Sequence, residues 1–368
     1  MNETRKLLFD MTTTLLREHV TGDVRLAAAQ GQWPEGLWRA LEEAGLPRMA
    51  VPEEAGGSGV GLADALAVLR VAGRFAAPAP LAEALLASWL LARAGLPVPD
   101  GPLTLAPVRA ADPLRLSRDG DAWVLHGHAE RVPWARHART IVVIAAAPGA
   151  GEDAGAAEGP AWAATVDRAA CRIEPGTNLA DEPRDAIAFD GVRVPGESVR
   201  PLTDGMDREA LRALGALTRA LLIAGALEHV LEQSVNHVSE RKQFGRPLAK
   251  FQVLQHYLAR MAGEVAAVGT AVEAALNELD RAGERPEAAT LAMAVAKVRA
   301  GEAAGMAAAT AHQVHGAIGF TYDHALHHWT KRLWSWRDEF GNEAQWAGYL
   351  GERVVAAGGD ALWPLLTG

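Results

Sequence analysis

The chain has 368 residues, 49% of them apolar, with a single cysteine and a formal net charge of −9. That length suits two or three domains, each able to bury a core without covalent staples. The acidic balance and the lack of a basic block exclude nucleic acid as the main partner. Cys171, being alone, excludes an internal disulfide and a thiolate metal cluster, which fits a reducing cytoplasm.

The first stretch, MNETRKLLFDMTTTLLREHV, has no apolar h-region and no cleavage site, so a signal peptide is not expected. Residues 25–46, RLAAAQGQWPEGLWRALEEAGL, repeat apolar positions at helical spacing, with a break at Gln32–Pro34. GGSGVG (56–61) has neither the spacing nor the preceding strand of a dinucleotide fingerprint, and reads as a loop leading into a helix from about Leu62. LAEALLASWLLARAGL (81–96) is the most apolar stretch. Glu83 and Arg93 interrupt it, so a buried helix is expected rather than a membrane span.

After Pro99 the pattern changes. WVLHGHAERV (123–132), RTIVVIAAA (139–147), PAWAATVD (160–167) and DAIAFDGVRV (185–194) read as strands. PGAGEDAGAAEGP (148–160), of low complexity, reads as a solvated hairpin loop. Helix returns from about Asp207. Residues 208–240 are apolar on more than one face, and 251–279, 287–316 and about 342–357 continue an up-down bundle of four helices. Small residues along these helices permit close contact. Gly215, Ala216 and Gly225 suggest a roomy cavity. The expected division is 1–104 all-α, 105–204 β and 205–368 a helical bundle, an α+β fold without βαβ alternation.

Two segments carry chemistry. SERKQFGRPLAKFQ (239–252) places Arg241, Lys242, Gln243 and Arg246 around a Phe-Gly turn between two long helices, a pattern suited to an anion. In QVHGAIGFTYDHALHHWTKR (313–332), Gln313 closes a helix and Gly316 and Gly319 strip side chains from the following turn, so backbone could approach a pyrophosphate closely. A helix C-cap would explain part of that pattern. His312, His315, His324, His327 and His328 fall close together. No carboxylate follows the zincin pattern, so they read as polar or interface histidines and no metal is expected.

These two segments resemble the C-terminal signatures of the acyl-CoA dehydrogenase family. VPEEAGGSGVGLADA (51–65) is similar to its N-terminal loop, and FDGVRVP (189–195) to the end of its β domain. The resemblance spans nearly the whole chain. It implies the acyl-CoA dehydrogenase fold: an N-terminal helical domain, a barrel-like middle β domain and a C-terminal four-helix bundle. It also implies FAD, an acyl-CoA substrate, a dimer or tetramer, and an electron acceptor such as electron-transfer flavoprotein. By position, Arg241 would pair with the FAD pyrophosphate across a subunit interface, Gln243, Phe251 and Gln252 would line its adenine and ribose side, and Gln313, Val314, His315, Gly316 and Ala317 would add contacts.

The chain departs from the family at the reaction centre. The T-E-P-x-x-G-S segment is absent, its place taken by TLAPVRAADPLRL (104–116). Where the family has a flavin-facing Thr, the aligned residues are Arg131, Val132 and Pro133, and proline offers neither hydroxyl nor N–H. The family's catalytic Glu aligns with Phe340, with Glu339 one residue earlier. Its other location, 26 residues before Arg241, is Gly215. The resemblance is therefore to the shorter, degenerate subunit of bacterial heteromeric acyl-CoA dehydrogenases. Two other readings remain at this point: a homomeric enzyme with Glu339 as catalytic base, and a non-catalytic acyl-CoA-binding or scaffold protein that has lost FAD.

Overall fold

A computed structural model describes residues 3–147, 160–203, 205–361 and 363. The loop at 148–160 therefore lies, but for Pro160, outside the described residues. The N-terminal helices are α1 (Glu3–His19), α2 (Gly22–Ala29), α3 (Glu35–Glu43), α4 (Leu62–Arg74) and α5 (Leu81–Arg93). The break at Gln32–Pro34 separates α2 from α3, and Pro80 precedes α5.

The middle of the chain forms a mixed sheet of β1 (Leu103–Ala106), β2 (Leu114–Asp119), β3 (Ala122–Pro133), β4 (Thr140–Ala146), β5 (Ala161–Asp167), β6 (Arg172–Glu174), β7 (Arg184–Pro195) and β8 (Val199–Pro201). The strand order is β6-β7-β3-β2-β4-β5-β8, and β1 joins β4 in parallel. The four strands expected from the sequence are β3, β4, β5 and β7. The other four are short, and β1 and β2 are separated by a loop containing Pro107 and Pro113. Strand β4 is buried along its whole length because both faces are covered. Ile141 and Val143 point into the sheet's own core, whereas Val142 and Ile144 join the helical core.

Helix α6 (Arg208–Glu240) opens on Asp207, whose carboxylate accepts the Ala210 N–H at 2.7 Å. A two-strand ribbon follows, β9 (Lys242–Gln243) and β10 (Arg246–Pro247). Then come α7 (Gln252–Arg281), α8 (Pro286–His315), α9 (His327–Trp336) and α10 (Glu343–Ala357). Helix α9 is an addition to the four expected helices. Helix α6 has the length and composition of a membrane span, but 89% of its apolar stretch is buried inside the fold. Its glycines do not open space. A Cβ on Gly225 would lie 1.7 Å from the Arg70 carbonyl oxygen, and one on Gly73 would lie 2.0 Å from that of Leu222. The α4 and α6 backbones meet there.

The fingerprint-like glycines also have a structural account. The N–H of Leu62, at the start of α4, donates to the Glu284 carboxylate at 2.7 Å, and Trp89 Nε1 donates to its other oxygen at 3.2 Å. The anion on this helix N-terminus is the protein's own, brought from the turn between α7 and α8.

Candidate functional site

The ribbon turn is built by Phe244 and Gly245, both with positive φ (50° and 77°), the geometry of a tight hairpin. Phe244 is thrust into solvent, 90% exposed. Arg241, Lys242 and Arg246 are exposed, and none is ion-paired among the described residues. Arg246 rests over the Phe251 ring at 4.2 Å. The last turns of α6 and α8 adjoin, since the His237 and His315 rings lie 4.5 Å apart. The fold thus brings the 241–252 and 313–317 segments to one end of the bundle.

There, Arg241, Gln243, Gln252, Gln313, Gly316 and Ala317 are exposed and Phe251 is half-buried. Val314 and His315 are buried instead. His315 Nδ1 sits 2.8 Å from the Ala311 carbonyl oxygen, and burial pulls its pKa down to about 4. These two side chains hold the end of α8 together rather than facing outward. Gly316 has φ 64°, a conformation that favours glycine, and it ends α8. The other histidines are also engaged locally. His312 Nε2 is 3.0 Å from Thr330 Oγ1, His324 Nδ1 accepts the Leu326 N–H, and the His327 and His328 rings lie 4.1 Å apart. Among the described residues no group of three His, Cys, Asp or Glu is placed to hold a metal ion.

The second centre lies between α5, the β1–β2 loop, α6 and the segment 338–341. The two sequence positions aligned with a catalytic carboxylate meet here. A Cβ on Gly215 would lie 2.2 Å from the Phe340 ring, so the ring fills the space that a side chain at 215 would need. Gly215 is a seat for Phe340, not part of a roomy cavity. Phe340 itself has φ 56°, unusual for a bulky residue.

Glu339 faces a different way. Its Oε1 accepts from Arg184 Nε at 2.7 Å and its Oε2 from Arg219 Nε at 2.6 Å. Arg219 Nη2 reaches Glu83 at 2.5 Å, Arg184 Nη2 reaches Glu182 at 3.1 Å, and Arg332 Nε reaches Glu182 at 3.0 Å. Trp336 Nε1 also donates to Glu182, at 3.0 Å. Three carboxylates and three guanidiniums thus balance within a buried network that joins α5, α6, β7, α9 and the 339 turn. Burial pushes the Glu339 carboxyl up, but Arg184 and Arg219 outweigh it and hold the pKa down at about 2. A carboxylate clasped by two guanidiniums is a weak proton acceptor, so the expectation of Glu339 as a base meets an adverse environment. Sequence reasoning missed this network. Its one signal was a charge set within the apolar run of each of two helices, Glu83 and Arg219.

Beside Glu339, a cavity of about 260 Å³ is lined by Val108–Ala111, Arg131, Pro133 and residues 338–341. Pro133 brings no donor to it, and the Pro133 carbonyl already accepts from Thr104 Oγ1 at 2.5 Å. A larger cavity of about 510 Å³ adjoins at Phe340, between α5, the β1–β2 loop and the first turns of α6. The residues present therefore fit the two ends of FAD unequally. An exposed, unneutralised cationic turn suits its diphosphate, whereas on the flavin-ring side Pro133 stands without a donor at the position where the resemblance implies a threonine.

Fold and site together define a helix–sheet–helix protein with a cationic bundle end and an apolar cavity stopped by an aromatic ring. Residues 2–97 match the acyl-CoA dehydrogenase N-terminal domain and residues 211–342 the C-terminal domain. The chain is 30% identical over 333 residues to the acyl-CoA dehydrogenase IpdE2 of Mycobacterium tuberculosis, covering 90% of this chain and 91% of that one. It is 29% identical over 310 residues to acyl-CoA dehydrogenase FadE27 of the same organism, covering 79% and 80%. The fold superimposes on a chain of the ChsE4–ChsE5 complex of Mycobacterium tuberculosis with a TM-score of 0.86 at 24% identity, covering 98% and 99%. For a chain of the Tcur3481–Tcur3483 steroid ACAD the TM-score is 0.83 at 26% identity, covering 96% and 98%. The chain belongs to the acyl-CoA dehydrogenase family.

Proposed function

We propose that this chain is the subunit of a heteromeric acyl-CoA dehydrogenase that lacks the catalytic base and contributes cross-interface contacts to FAD held mainly by its partner. The observation that carries the reading is the Phe340 ring seated on Gly215, which takes both positions where the family resemblance puts a carboxylate. Glu339, engaged by two guanidiniums, does not replace it. The retained cationic turn speaks against a scaffold that has lost FAD, since such a protein has no use for an exposed, unpaired phosphate-binding turn. Two of the similar structures, ChsE4–ChsE5 and Tcur3481–Tcur3483, pair two differently named chains, which supports a heteromer here. Exposed Phe244, Ile318, Phe320 and Tyr322 give that end of the bundle an apolar character suited to a partner surface.

FAD, when bound, supplies hydride acceptance from an acyl-CoA thioester, with electrons passing on to an acceptor such as electron-transfer flavoprotein. The residues of this chain hold and orient. Arg241 supplies a planar fork of donors to the diphosphate oxygens, with Gln243, Gln252 and Gln313 beside it. Phe340 closes the interior at the position where a proton acceptor would stand, so α-proton removal falls to the partner.

Two experiments test the reading. Purified alone, the chain should carry well under one FAD per chain, measured by flavin absorbance against protein absorbance. Near-stoichiometric, tightly held FAD in the lone chain would revive a homomeric enzyme. Within the assembled complex, Arg241→Ala should weaken FAD retention about ten- to hundredfold, since hydrogen bonds to charged groups contribute about 1.5–3 kcal/mol. Arg241→Lys should recover part of that loss, because a point charge cannot reproduce the fork. If Arg241→Ala retains FAD as the parent complex does, with circular dichroism and subunit association unchanged, the cross-interface role is wrong.

A further inference from the structure

The cavity of about 510 Å³ is walled by apolar side chains, among them Leu86, Trp89, Leu105, Ile144 and Leu214, with Phe340 at one end. Its size lies in the range of small-molecule sites. Three guanidiniums interrupt this apolar wall, those of Arg109, Arg208 and Arg212, and Arg109 lies 3.9 Å from the Asp112 carboxylate. Arg212, in the first turns of α6, lines both this cavity and the adjoining one of about 260 Å³.

Arg212 is held but not neutralised. Its guanidinium carbon lies over Trp346, 3.9 Å from the ring centroid. Trp346 is fully buried, and its Nε1 donates to the Phe340 carbonyl at 2.9 Å, so the shelf is fixed. Gly341 makes room for the guanidinium, since a Cβ there would lie 2.8 Å from Arg212 Nη1. Among the described residues nothing hydrogen-bonds to Arg212 and no carboxylate pairs with it. The acids nearest the cavity are already engaged. Glu209 is exposed and pairs with Arg353 at 3.2 Å, and Asp112 accepts the Glu130 N–H at 2.8 Å. Burial accordingly pulls the Arg212 pKa down, with Glu209 only partly opposing it. A half-buried guanidinium without an anion, stacked in place at the end of an apolar cavity, is an incomplete ion pair.

We propose that this cavity takes an acyl group bearing a carboxylate, and that Arg212 is the residue that selects for that carboxylate. The proposal rests on the acyl-CoA reading above and adds to it an acyl-binding cavity in this chain, apart from proton removal by the partner, and the class of acyl chain it takes. An oxyanion on the CoA carrier, a phosphate, would satisfy the same guanidinium, so the two sources need separate arms.

The test is calorimetric binding of decanoyl-CoA and of the mono-CoA thioester of decanedioic acid to the full chain, and to its complex once the partner is in hand. The parent should bind the dicarboxylic thioester about ten- to hundredfold more tightly than decanoyl-CoA, the size expected of a charge-assisted contact in a partly desolvated site. Arg212→Gln should erase that preference and leave decanoyl-CoA affinity within about twofold, with unchanged circular dichroism. Arg212→Lys should keep part of the preference and guards against a Gln variant that folds poorly. Equal affinity of the parent for the two thioesters would overturn carboxylate selection and leave acyl-CoA binding intact. A Gln variant that loses affinity equally for both would assign the guanidinium to the carrier phosphates and also overturn it. Binding of neither thioester, in chain or complex, would defeat the acyl-CoA reading itself.

Discussion

Glu339→Gln should destabilise the folded chain by about 3–5 kcal/mol, the usual cost of breaking a buried ion pair from one side. The carboxylate is 12% exposed and joins Arg184 at 2.7 Å to Arg219 at 2.6 Å. Neutralising it leaves two buried guanidiniums facing an amide, and both are packed too deeply to turn to water: Arg184 is 6% and Arg219 1% exposed. The same contact predicts an acid transition. The Glu339 pKa in the fold is about 2, against an ordinary value of 4.5. A carboxylate with a depressed folded pKa contributes stability that is present above the unfolded value and lost as pH falls through the folded one. The parent should therefore lose about 3 kcal/mol between pH 4.5 and pH 2 from this group. Glu339→Gln should lack that component and show a shallower acid limb. Urea unfolding from pH 7 to pH 3 on both proteins measures both effects. A variant within 1 kcal/mol of the parent at pH 7 would mean that Glu339 is not a structural anion. Activity separates the remaining alternative. In an assembled complex at a temperature where the variant stays folded, most of the dehydrogenation rate should persist. Loss of a true base commonly costs about 10²- to 10⁴-fold, and a drop of that size would return Glu339 to the chemistry.

The features legible in the sequence are those set by neighbours along the chain. Helical spacing and proline placed the α2–α3 break and the start of α4 at Leu62. The alternation of β3 and the continuous apolar run of β4 marked them as strands. The Phe-Gly turn and its basic flanks marked a cationic turn between two helices, which the structure shapes as a short exposed ribbon. What stayed hidden depends on partners far apart in sequence. Glu83 and Glu339 meet on Arg219 from 136 and 120 residues away. A charge in an apolar helix signals that a partner exists, but not which one. Gly215 and Gly225 looked alike in sequence, yet one seats an aromatic ring and the other admits a neighbouring backbone. Val314 and His315 lie within a surface motif, but helical rotation turns them inward while Gln313 faces out.

Lys297 is a further buried charge in a helix, and Lys297→Met should cost roughly 2–5 kcal/mol at pH 7, from two buried carbonyls left without a donor. The residue is fully buried in α8, and its Nζ donates to the Arg337 carbonyl at 2.5 Å and the Gly341 carbonyl at 2.6 Å. Those two bonds clamp the ends of the turn that presents Glu339 and Phe340, so the amine positions the blocked centre without entering it. Methionine matches the length and fills the space but donates nothing. The pH dependence has a definite sign. Burial lowers the amine pKa to about 7 from 10.5; Glu339 and Asp338 oppose the shift, and Arg219 and Arg337 assist it. Between those values the unfolded chain binds more protons than the folded one, so this group makes stability rise with pH from about 7 toward 10.5. Lys297→Met has no such group, and the stability gap between parent and variant should widen from pH 7 to pH 9. Unfolding free energies of both proteins at the two pH values decide the matter. A constant gap would show that the amine stays charged throughout, with the clamp intact. No gap at either pH would show that the turn does not depend on Lys297 at all.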